Sequence, residues 1–207
     1  MLLNTTTKAF FHFRTKLANA LLDLRYGALL RGGQETRHPH LGAYATNNSS
    51  YRAVQTLFRG RVQPMDVLVD VGCGKGRVIN AWLAQGYTNQ IIGIELDAEV
   101  AQKTRARLRR YPNVSVHSGD IITNFPCDGT LFYLFNPFDA QVMSRFKDRL
   151  KECLSRRAIG EATVLYYNCC HVEVFAQDAA CEIAYGQLEH PFAVITVSMN
   201  RSERPGA

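Results

Sequence analysis

The sequence predicts an α/β fold: a doubly wound, mostly parallel seven-strand sheet with helices on both faces and an antiparallel hairpin at its C-terminal edge. From residue 65 onward, short apolar runs of strand length alternate with amphipathic stretches of helix length, which is the pattern of βαβ units. The last two strand-like runs have no room for a helix between them, so these strands must be antiparallel. With 207 residues, of which 46% are hydrophobic, the chain can bury a core of ordinary size.

The first predicted element is a helix over residues 8–26. One apolar stripe at helical spacing runs along it, formed by Phe10, Phe13, Leu17, Leu21 and Leu24. We expect this helix to pack on the domain through that stripe, with a helix lying on a membrane surface as the alternative. Residues 27–50 are rich in Gly, Asn, Ser and Thr and predict a loop that leads into a short helix over 51–59.

The remaining elements follow from the period of the apolar residues. Strands are predicted at 65–71, 91–96, 113–117, 130–136, 162–168, 181–190 and 191–200. Helices are predicted at 77–86, at 98–111, along the face shared by Val142, Phe146, Leu150 and Cys153, and at 171–179.

The composition and charge limit the class of protein. The net charge is 24 − 18 = +6, and no apolar run is long enough to span a bilayer. The N-terminus lacks the uninterrupted apolar core of a signal peptide, so we expect a soluble, cytoplasmic protein. Five basic residues crowd the helix over 98–111 and could contact phosphates, although a solvated helix face is the simpler interpretation: Lys103, Arg105, Arg107, Arg109 and Arg110.

The six cysteines form no C-x-x-C pair and suit neither a zinc site nor a disulfide framework: Cys73, Cys127, Cys153, Cys169, Cys170 and Cys181. We therefore expect small buried side chains in a reducing compartment and predict no metal site. A catalytic thiol is the alternative, and Cys73 is its candidate.

The most informative segment is a glycine-rich loop, Asp70-Val71-Gly72-Cys73-Gly74-Lys75-Gly76, between a predicted strand and a predicted helix. Glycines there allow a tight turn that lies against a ligand. A dinucleotide loop has the spacing G-x-G-x-x-G, whereas the third glycine here comes one place earlier. A carboxylate at Asp70 repels a pyrophosphate but suits an ammonium group. Glu95 ends the next strand, where a carboxylate can accept both ribose hydroxyls. A nucleoside with a cationic amino-acid tail meets both requirements, and S-adenosylmethionine is such a molecule.

On these motifs, residues 67–138 resemble a class I (seven-strand, Rossmann-like) S-adenosylmethionine-dependent methyltransferase, and residues 44–199 are similar in layout to small bacterial members. The resemblance implies that the methionine moiety lies on the first motif, at Asp70, Gly72, Cys73, Gly74 and Gly76. It further implies that Glu95 binds the ribose and that Leu96 packs on the adenine. Asp120 would bind the adenine amino group, with the backbone amide of Ile121 beside it.

The segment Phe135-Asn136-Pro137-Phe138 resembles the [D/N]-P-P-[Y/F/W] signature of amino-group methyltransferases, with one proline instead of two. The resemblance implies that Asn136 and Pro137 accept hydrogen bonds from the target amine and that Phe138 stacks on the acceptor. Asn136 would also border the cofactor. The structural alternative is that Pro137 starts a helix with Asn136 as its cap. The predicted reaction is methyl transfer to nitrogen, or less favourably to oxygen, of an unidentified acceptor.

A segment before the first strand resembles the loop that caps the cofactor in related lysine methyltransferases, and its candidates are Tyr44, Thr46 and Ser49. The alternative is a loop whose Ser49 or Ser50 caps the next helix. We therefore divide the chain into an N-terminal helix and capping loop, residues 1–50, and a methyltransferase domain, residues 51–207.

Two other functions stay open at this stage. One is a non-catalytic S-adenosylmethionine-binding or partner module, and the other is an NAD(P)-dependent oxidoreductase. A protein or a small molecule is the favoured methyl acceptor, and the basic helix keeps a nucleic acid open. His171, after the fifth strand, could be a general base, although a structural histidine is favoured.

Overall fold

The computed structural model describes residues 5–30, 49–156 and 160–199, with side chains from residue 14 onward. Its seven strands form one sheet in the order β3-β2-β1-β4-β5-β7-β6. They are β1 (Val67–Val71), β2 (Gln90–Glu95), β3 (Val114–Ser118), β4 (Leu131–Phe135), β5 (Glu161–Tyr167), β6 (Cys181–Gln187) and β7 (Pro191–Ser198). Strands β1 to β5 are parallel, and β7 pairs antiparallel with both β5 and β6. The predicted fold class is confirmed.

Six helices accompany the sheet in the described part of the chain: α1 (Thr5–Arg25), α2 (Tyr51–Phe58), α3 (Arg77–Ala84), α4 (Ala98–Leu108), α5 (Ala140–Ser155) and α6 (Glu173–Ala176). Helices α2, α3 and α4 pack on one face of the sheet around Trp82, and α5 and α6 pack on the other around Phe146. The sheet therefore separates two apolar cores. The carboxyl ends of β1, β2 and β4 meet at one edge, where open α/β sheets bind ligands.

Acidic and hydroxyl side chains begin three of these helices. Asp97 accepts hydrogen bonds from the amides of Glu99 and Val100 at the start of α4. Ser50 caps α2, and Asp139 caps α5 by accepting from the Val142 amide at 2.9 Å. The alternative in which Asn136 caps a helix begun by Pro137 is therefore wrong, because α5 starts three residues later.

Helix α1 packs on the domain through a face other than its apolar stripe. Asp23 is 1% exposed and pairs with Arg77 of α3 at 2.7 Å, while Leu17, Leu21 and Leu24 are 50%, 59% and 54% exposed. The expectation that α1 packs through this stripe is therefore wrong. The reason is that the buried Asp23–Arg77 ion pair turns the opposite side of the helix inward.

No helix among the described residues is long and apolar enough to cross a membrane.

The cysteines also differ from expectation. Cys127, in the turn before β4, forms a disulfide with Cys153 of α5, and their Cα atoms are 5.1 Å apart. The prediction that the cysteine spacing suits no disulfide is therefore wrong. A sequence separation of 26 residues does not show that β4 and α5 bring these two Cα atoms within bridging distance. Cys73 and Cys169 are buried and unpaired.

Candidate active site

The glycine-rich loop follows β1 and turns across the end of β2 into α3. The amides of Gly72 and Cys73 both donate to the Ile94 carbonyl of β2, each at 2.9 Å. Gly72, Gly74 and Gly76 have φ values of 72°, 50° and 76°, a left-handed conformation that disfavours side chains. A Cβ at Gly76 would also lie 2.9 Å from the Thr104 Cγ2 atom. These contacts explain why the motif has a glycine at every second position.

Two buried carboxylates lie on one face of the sheet beside this loop. Asp70 on β1 is 2% exposed and Glu95 on β2 is 7% exposed. Burial raises the pKa of Asp70 well above its ordinary value, and the negative charge of Glu95 raises it further. The Asp70 Oδ2 atom has no hydrogen-bond partner within the described residues. A buried, unpaired carboxylate oxygen requires a donor or a cation, which an ammonium group would supply.

Glu95 is connected to the loops on both of its sides. Its Oε2 atom accepts from the Gly74 amide at 2.8 Å, and its Oε1 atom accepts from the Asp97 amide at 2.9 Å. Burial raises the pKa of Glu95, while these two amides act in the opposite direction. The carboxylate thus ties the glycine-rich loop to the segment that starts α4, and Leu96, the next residue, is half-buried.

The loop after β3 reaches the same edge. The amide of Gly119 donates to the Glu95 carbonyl at 2.9 Å, which holds Asp120 near the end of β2. The Asp120 Oδ1 atom accepts from the Ile122 amide at 2.9 Å. The Ile121 side chain is 6% exposed and belongs to the core under α5. Asp70, Glu95 and Asp120 therefore lie at the ends of three adjacent strands. We call this region, with the loop over 72–76, the cofactor half of the site.

The ends of β4 and β5 form a second region, the acceptor half. Asn136 follows β4 in a left-handed conformation, with φ of 42°, and its Oδ1 atom lies 2.9 Å from the Tyr166 hydroxyl. The same hydroxyl accepts from the His171 amide at 3.2 Å. A Cβ on Gly72 would lie 3.3 Å from the Pro137 Cβ atom, so the Asn-Pro segment touches the glycine-rich loop.

Phe138 lies elsewhere. Its side chain is 6% exposed and its ring centroid lies 6.1 Å from that of Phe146, inside the core under α5. Stacking on an acceptor would require a ring that faces the edge of the sheet. Phe135, Tyr167 and His190 do form an aromatic group there, with centroids 5.1 to 5.5 Å apart.

The predicted capping loop is described only at its end. Ser49 is 4% exposed, and its hydroxyl lies 2.8 Å from that of Tyr133, the register neighbour of Asp70 on β4. Tyr44 and Thr46 lie outside the described residues. The alternative role predicted for Ser50 is observed, since its Oγ atom accepts from the Ala53 amide at 3.1 Å.

A polar network that the sequence analysis missed supports the cofactor half from below. Arg107 of α4 donates to the Tyr26 carbonyl and to the Lys75 carbonyl, each at 2.6 Å. Arg77 donates to Asp23 and, at 2.7 Å, to the Leu30 carbonyl. Arg107 is half-buried and bound to main-chain oxygens, so the expectation that it lies on a solvated helix face is wrong. No local pattern distinguishes it from the other basic residues of the helix, because its partners are main-chain oxygens distant in sequence.

Two other candidates take structural positions. Cys73 is 6% exposed, and burial raises the pKa of its thiol well above the usual value, which disfavours the thiolate that a nucleophile needs. The His171 Nδ1 atom lies 3.7 Å from the Glu173 carboxylate. Its main-chain amide donates to the Tyr166 hydroxyl.

Comparison with known proteins agrees with this geometry. The family model described as a methyltransferase domain matches residues 68–157. No curated protein sequence matches the chain. Similar solved structures include the S-adenosylhomocysteine-bound Podospora anserina methyltransferase PaMTH1, with a TM-score of 0.62 at 12% identity over 97% of this chain and 98% of that one.

Two further structures share the fold. An RNA methyltransferase from Salinibacter ruber, in complex with S-adenosyl-L-homocysteine, has a TM-score of 0.51 at 18% identity and covers 78% of this chain and 95% of its own. An O-methyltransferase from neocarzinostatin biosynthesis has a TM-score of 0.53 at 16% identity over 72% of this chain and 55% of its own.

The matched domain and the shared sheet define the class: the chain has the Rossmann-like methyltransferase fold. Residues 68–157 therefore match a methyltransferase domain, and two of the structures that share the fold are bound to S-adenosylhomocysteine, which supports S-adenosylmethionine as the cofactor. This result favours a methyltransferase over the NAD(P)-dependent oxidoreductase, the alternative that the glycine spacing and Asp70 already disfavour.

Proposed function

We propose that the protein transfers the methyl group of S-adenosylmethionine to a nitrogen atom of an acceptor bound beside Asn136. The position of the Asn136-Pro137 segment carries the proposal: it follows β4, and Pro137 lies so close to Gly72 that a Cβ on this glycine would be only 3.3 Å from the Pro137 Cβ atom. A group held by the Asn136 amide or the Pro137 carbonyl would therefore lie next to the cofactor half.

On this proposal each buried group of the cofactor half has a defined partner. Asp70 binds the ammonium group, and the loop of Gly72, Cys73, Gly74 and Gly76 lies against the methionine moiety. The nucleoside lies along the next two strand ends, at Glu95, Leu96, Asp120 and Ile121. Ser49, buried beside Tyr133, closes the methionine end. The unpartnered Asp70 oxygen is the observation that supports this orientation.

When bound, S-adenosylmethionine supplies a methyl group on a positively charged sulfur, which is already an activated electrophile. The chain therefore needs to position the nucleophile and exclude water, not to activate the methyl group. Asn136 Oδ1 and the Pro137 carbonyl accept hydrogen bonds from the amine and direct its lone pair. After the methyl group has been transferred, the nitrogen carries one extra proton, which it releases to solvent.

Oxygen is the second candidate, and one contact favours it. Because the Tyr166 hydroxyl accepts from the His171 amide, its own hydrogen is available to donate to Asn136 Oδ1. That hydrogen bond occupies one lone-pair direction of the amide oxygen, and the Nδ2 group then presents a donor that suits an acceptor oxygen.

A protein or a small molecule remains the proposed acceptor, and the contacts of three arginines in and just after α4 argue against a phosphate-binding surface. Arg105 donates to the Val116 carbonyl at 2.6 Å, and Arg110 donates to the Arg25 carbonyl at 2.8 Å. Together with Arg107, these guanidinium groups are already bound to main-chain oxygens.

The test is methyl transfer from S-adenosylmethionine carrying a ¹³C-labelled methyl group into fractionated cell extract. The ¹³C chemical shift of the purified product distinguishes a methyl group on nitrogen from one on oxygen. The Asn136→Ala variant, with the cofactor half intact, should label the same fraction about tenfold more slowly. Tight S-adenosylhomocysteine binding without labelling of any fraction would contradict the proposal and favour a non-catalytic cofactor-binding module.

A further inference from the structure

The exposed side of helix α1 carries an apolar stripe that no described part of the chain covers. Leu17, Leu21 and Leu24 are each at least half exposed. Their spacing of four and three residues places them on one side of the helix, and we call these three residues the leucine stripe. In the sequence, the same spacing continues to Phe13 and Phe10.

The opposite side of α1 is firmly attached to the domain. Asp23 accepts from Arg77 at 2.7 Å and from the Tyr51 hydroxyl at 2.8 Å. Tyr26, which follows the helix, is 3% exposed, and Leu22 packs against the core under α3. The helix therefore cannot rotate to bury the leucine stripe without breaking a buried ion pair.

The charges of α1 indicate what would cover the stripe. Asp23 is the one acidic residue in the sequence of α1, and it is buried against Arg77. Arg14, Lys16 and Arg25 are exposed, and the helical spacing places Arg14 and Arg25 along one border of the stripe. The exposed side of α1 therefore carries leucines, and its charged side chains are all positive.

We propose that the leucine stripe binds the surface of a membrane rich in anionic phospholipid. Apolar side chains beside lysine and arginine are the features with which an interfacial helix inserts between headgroups and attracts anionic lipids. A second copy of the chain would bring two positively charged helices together, which is unfavourable. The proposal concerns lipid binding and does not depend on the identity of the methyl acceptor.

The attachment of α1 gives this binding a defined geometry. The end of the helix leads into Gly27 to Leu30, and the Leu30 carbonyl is held by Arg77 at the start of α3, directly after the glycine-rich loop. A membrane-bound α1 would therefore hold the carboxyl edge of the sheet at a fixed position relative to the lipid surface.

The experiment is co-sedimentation of the full chain with vesicles of phosphatidylcholine alone and of phosphatidylcholine mixed with phosphatidylglycerol. We expect binding to the mixed vesicles that is at least about tenfold stronger than to the neutral ones and that weakens as salt is added. Leu17→Glu combined with Leu21→Glu should lower binding to the mixed vesicles by about tenfold or more. Thermal shift with S-adenosylhomocysteine checks that this variant still folds.

The matched control is Met65→Glu, a side chain that is 88% exposed just before β1, at the amino edge of the sheet. It should bind the mixed vesicles as the unmodified chain does. Equal binding to both kinds of vesicle would overturn the role of the charges. Absence of sedimentation, with a dimer in light scattering that the double variant abolishes, would overturn the proposal and assign the stripe to a second copy.

Discussion

The two halves of the site are built in different ways. In the cofactor half, main-chain amides and buried carboxylates form the surface: Glu95 accepts from two amides, and Asp70 is buried with one oxygen unpaired. In the acceptor half, side chains contact side chains, as Tyr166 and Asn136 do, and an aromatic group of Phe135, Tyr167 and His190 lies beside them. The cofactor half thus presents main-chain amides and carboxylates that suit one cationic nucleoside. The acceptor half is formed by side chains, so single substitutions can alter its shape and polarity.

The names of two structural neighbours agree with this difference, because they indicate different methyl acceptors. One is an RNA methyltransferase and another is an O-methyltransferase from neocarzinostatin biosynthesis, and both share the sheet of this chain at 18% identity or less. The fold therefore does not specify the acceptor. Substitutions in the cofactor half should act on cofactor affinity, and those in the acceptor half should act on the rate of transfer.

The largest effect is expected for Glu95→Ala. If the carboxylate binds both ribose hydroxyls, the variant loses charge-assisted hydrogen bonds of about 1.5–3 kcal/mol each, and S-adenosylhomocysteine affinity should fall by about 100-fold or more in calorimetry. Glu182→Ala, at an exposed glutamate of edge strand β6, is the matched control. Unchanged affinity in a folded Glu95→Ala protein would contradict the ribose assignment.

Asp70→Asn should separate stability from binding. Since burial raises the pKa of Asp70 in the folded state, stability contributed by this group falls as pH rises from the unfolded value toward the raised folded value. Above that window the asparagine variant without ligand should be more stable by about 2 kcal/mol in denaturant unfolding. Its stabilisation by S-adenosylhomocysteine should be smaller than that of the unmodified protein.

The control for this variant is Asp148→Asn, at an exposed position of α5. It should change neither stability nor the response to S-adenosylhomocysteine. A stability gain of Asp70→Asn that did not depend on pH between acidic and neutral conditions would refute the electrostatic origin of the effect.

In the acceptor half, Asn136→Ala should lower the rate of methyl transfer into cell extract by about tenfold, the effect of one lost hydrogen bond to the acceptor. Affinity for S-adenosylhomocysteine should change by less than about threefold, because the cofactor half keeps its carboxylates. An equal loss in affinity would instead place Asn136 among the cofactor ligands.

The smallest effect is expected for Tyr166→Phe, which removes the hydroxyl that holds Asn136. The lost hydrogen bond, of about 1 kcal/mol, should lower the transfer rate by about fivefold and leave cofactor affinity unchanged. Tyr185→Phe, at a tyrosine that is 65% exposed on β6, is the control. A change in cofactor affinity with an unchanged rate would break the distinction between the two halves.

Much of the cofactor half could be predicted from the sequence because its determinants are local. The period of the apolar residues indicates where β1 and β2 end, and parallel strands bring their carboxyl ends to one edge, so Asp70 and Glu95 are expected there. The acceptor half was less predictable. Asn136 was recognisable in its motif, whereas the role of Tyr166 depends on the pairing of β5 with β4. The motif also does not show whether the Phe138 ring faces an acceptor or, as observed, the core.

By itself the sequence determined the order of the elements, the glycine-rich turn and the positions of the carboxylates, since these depend on backbone geometry and on spacing within a few residues. Tertiary structure alone decided which side of α1 faces the domain, that Cys127 reaches Cys153, and that Arg107 holds main-chain oxygens on two other segments. In each of these cases a polar or covalent contact between residues distant in sequence decides where the side chain lies. The spacing of residues within one helix or strand carries no information about such a contact.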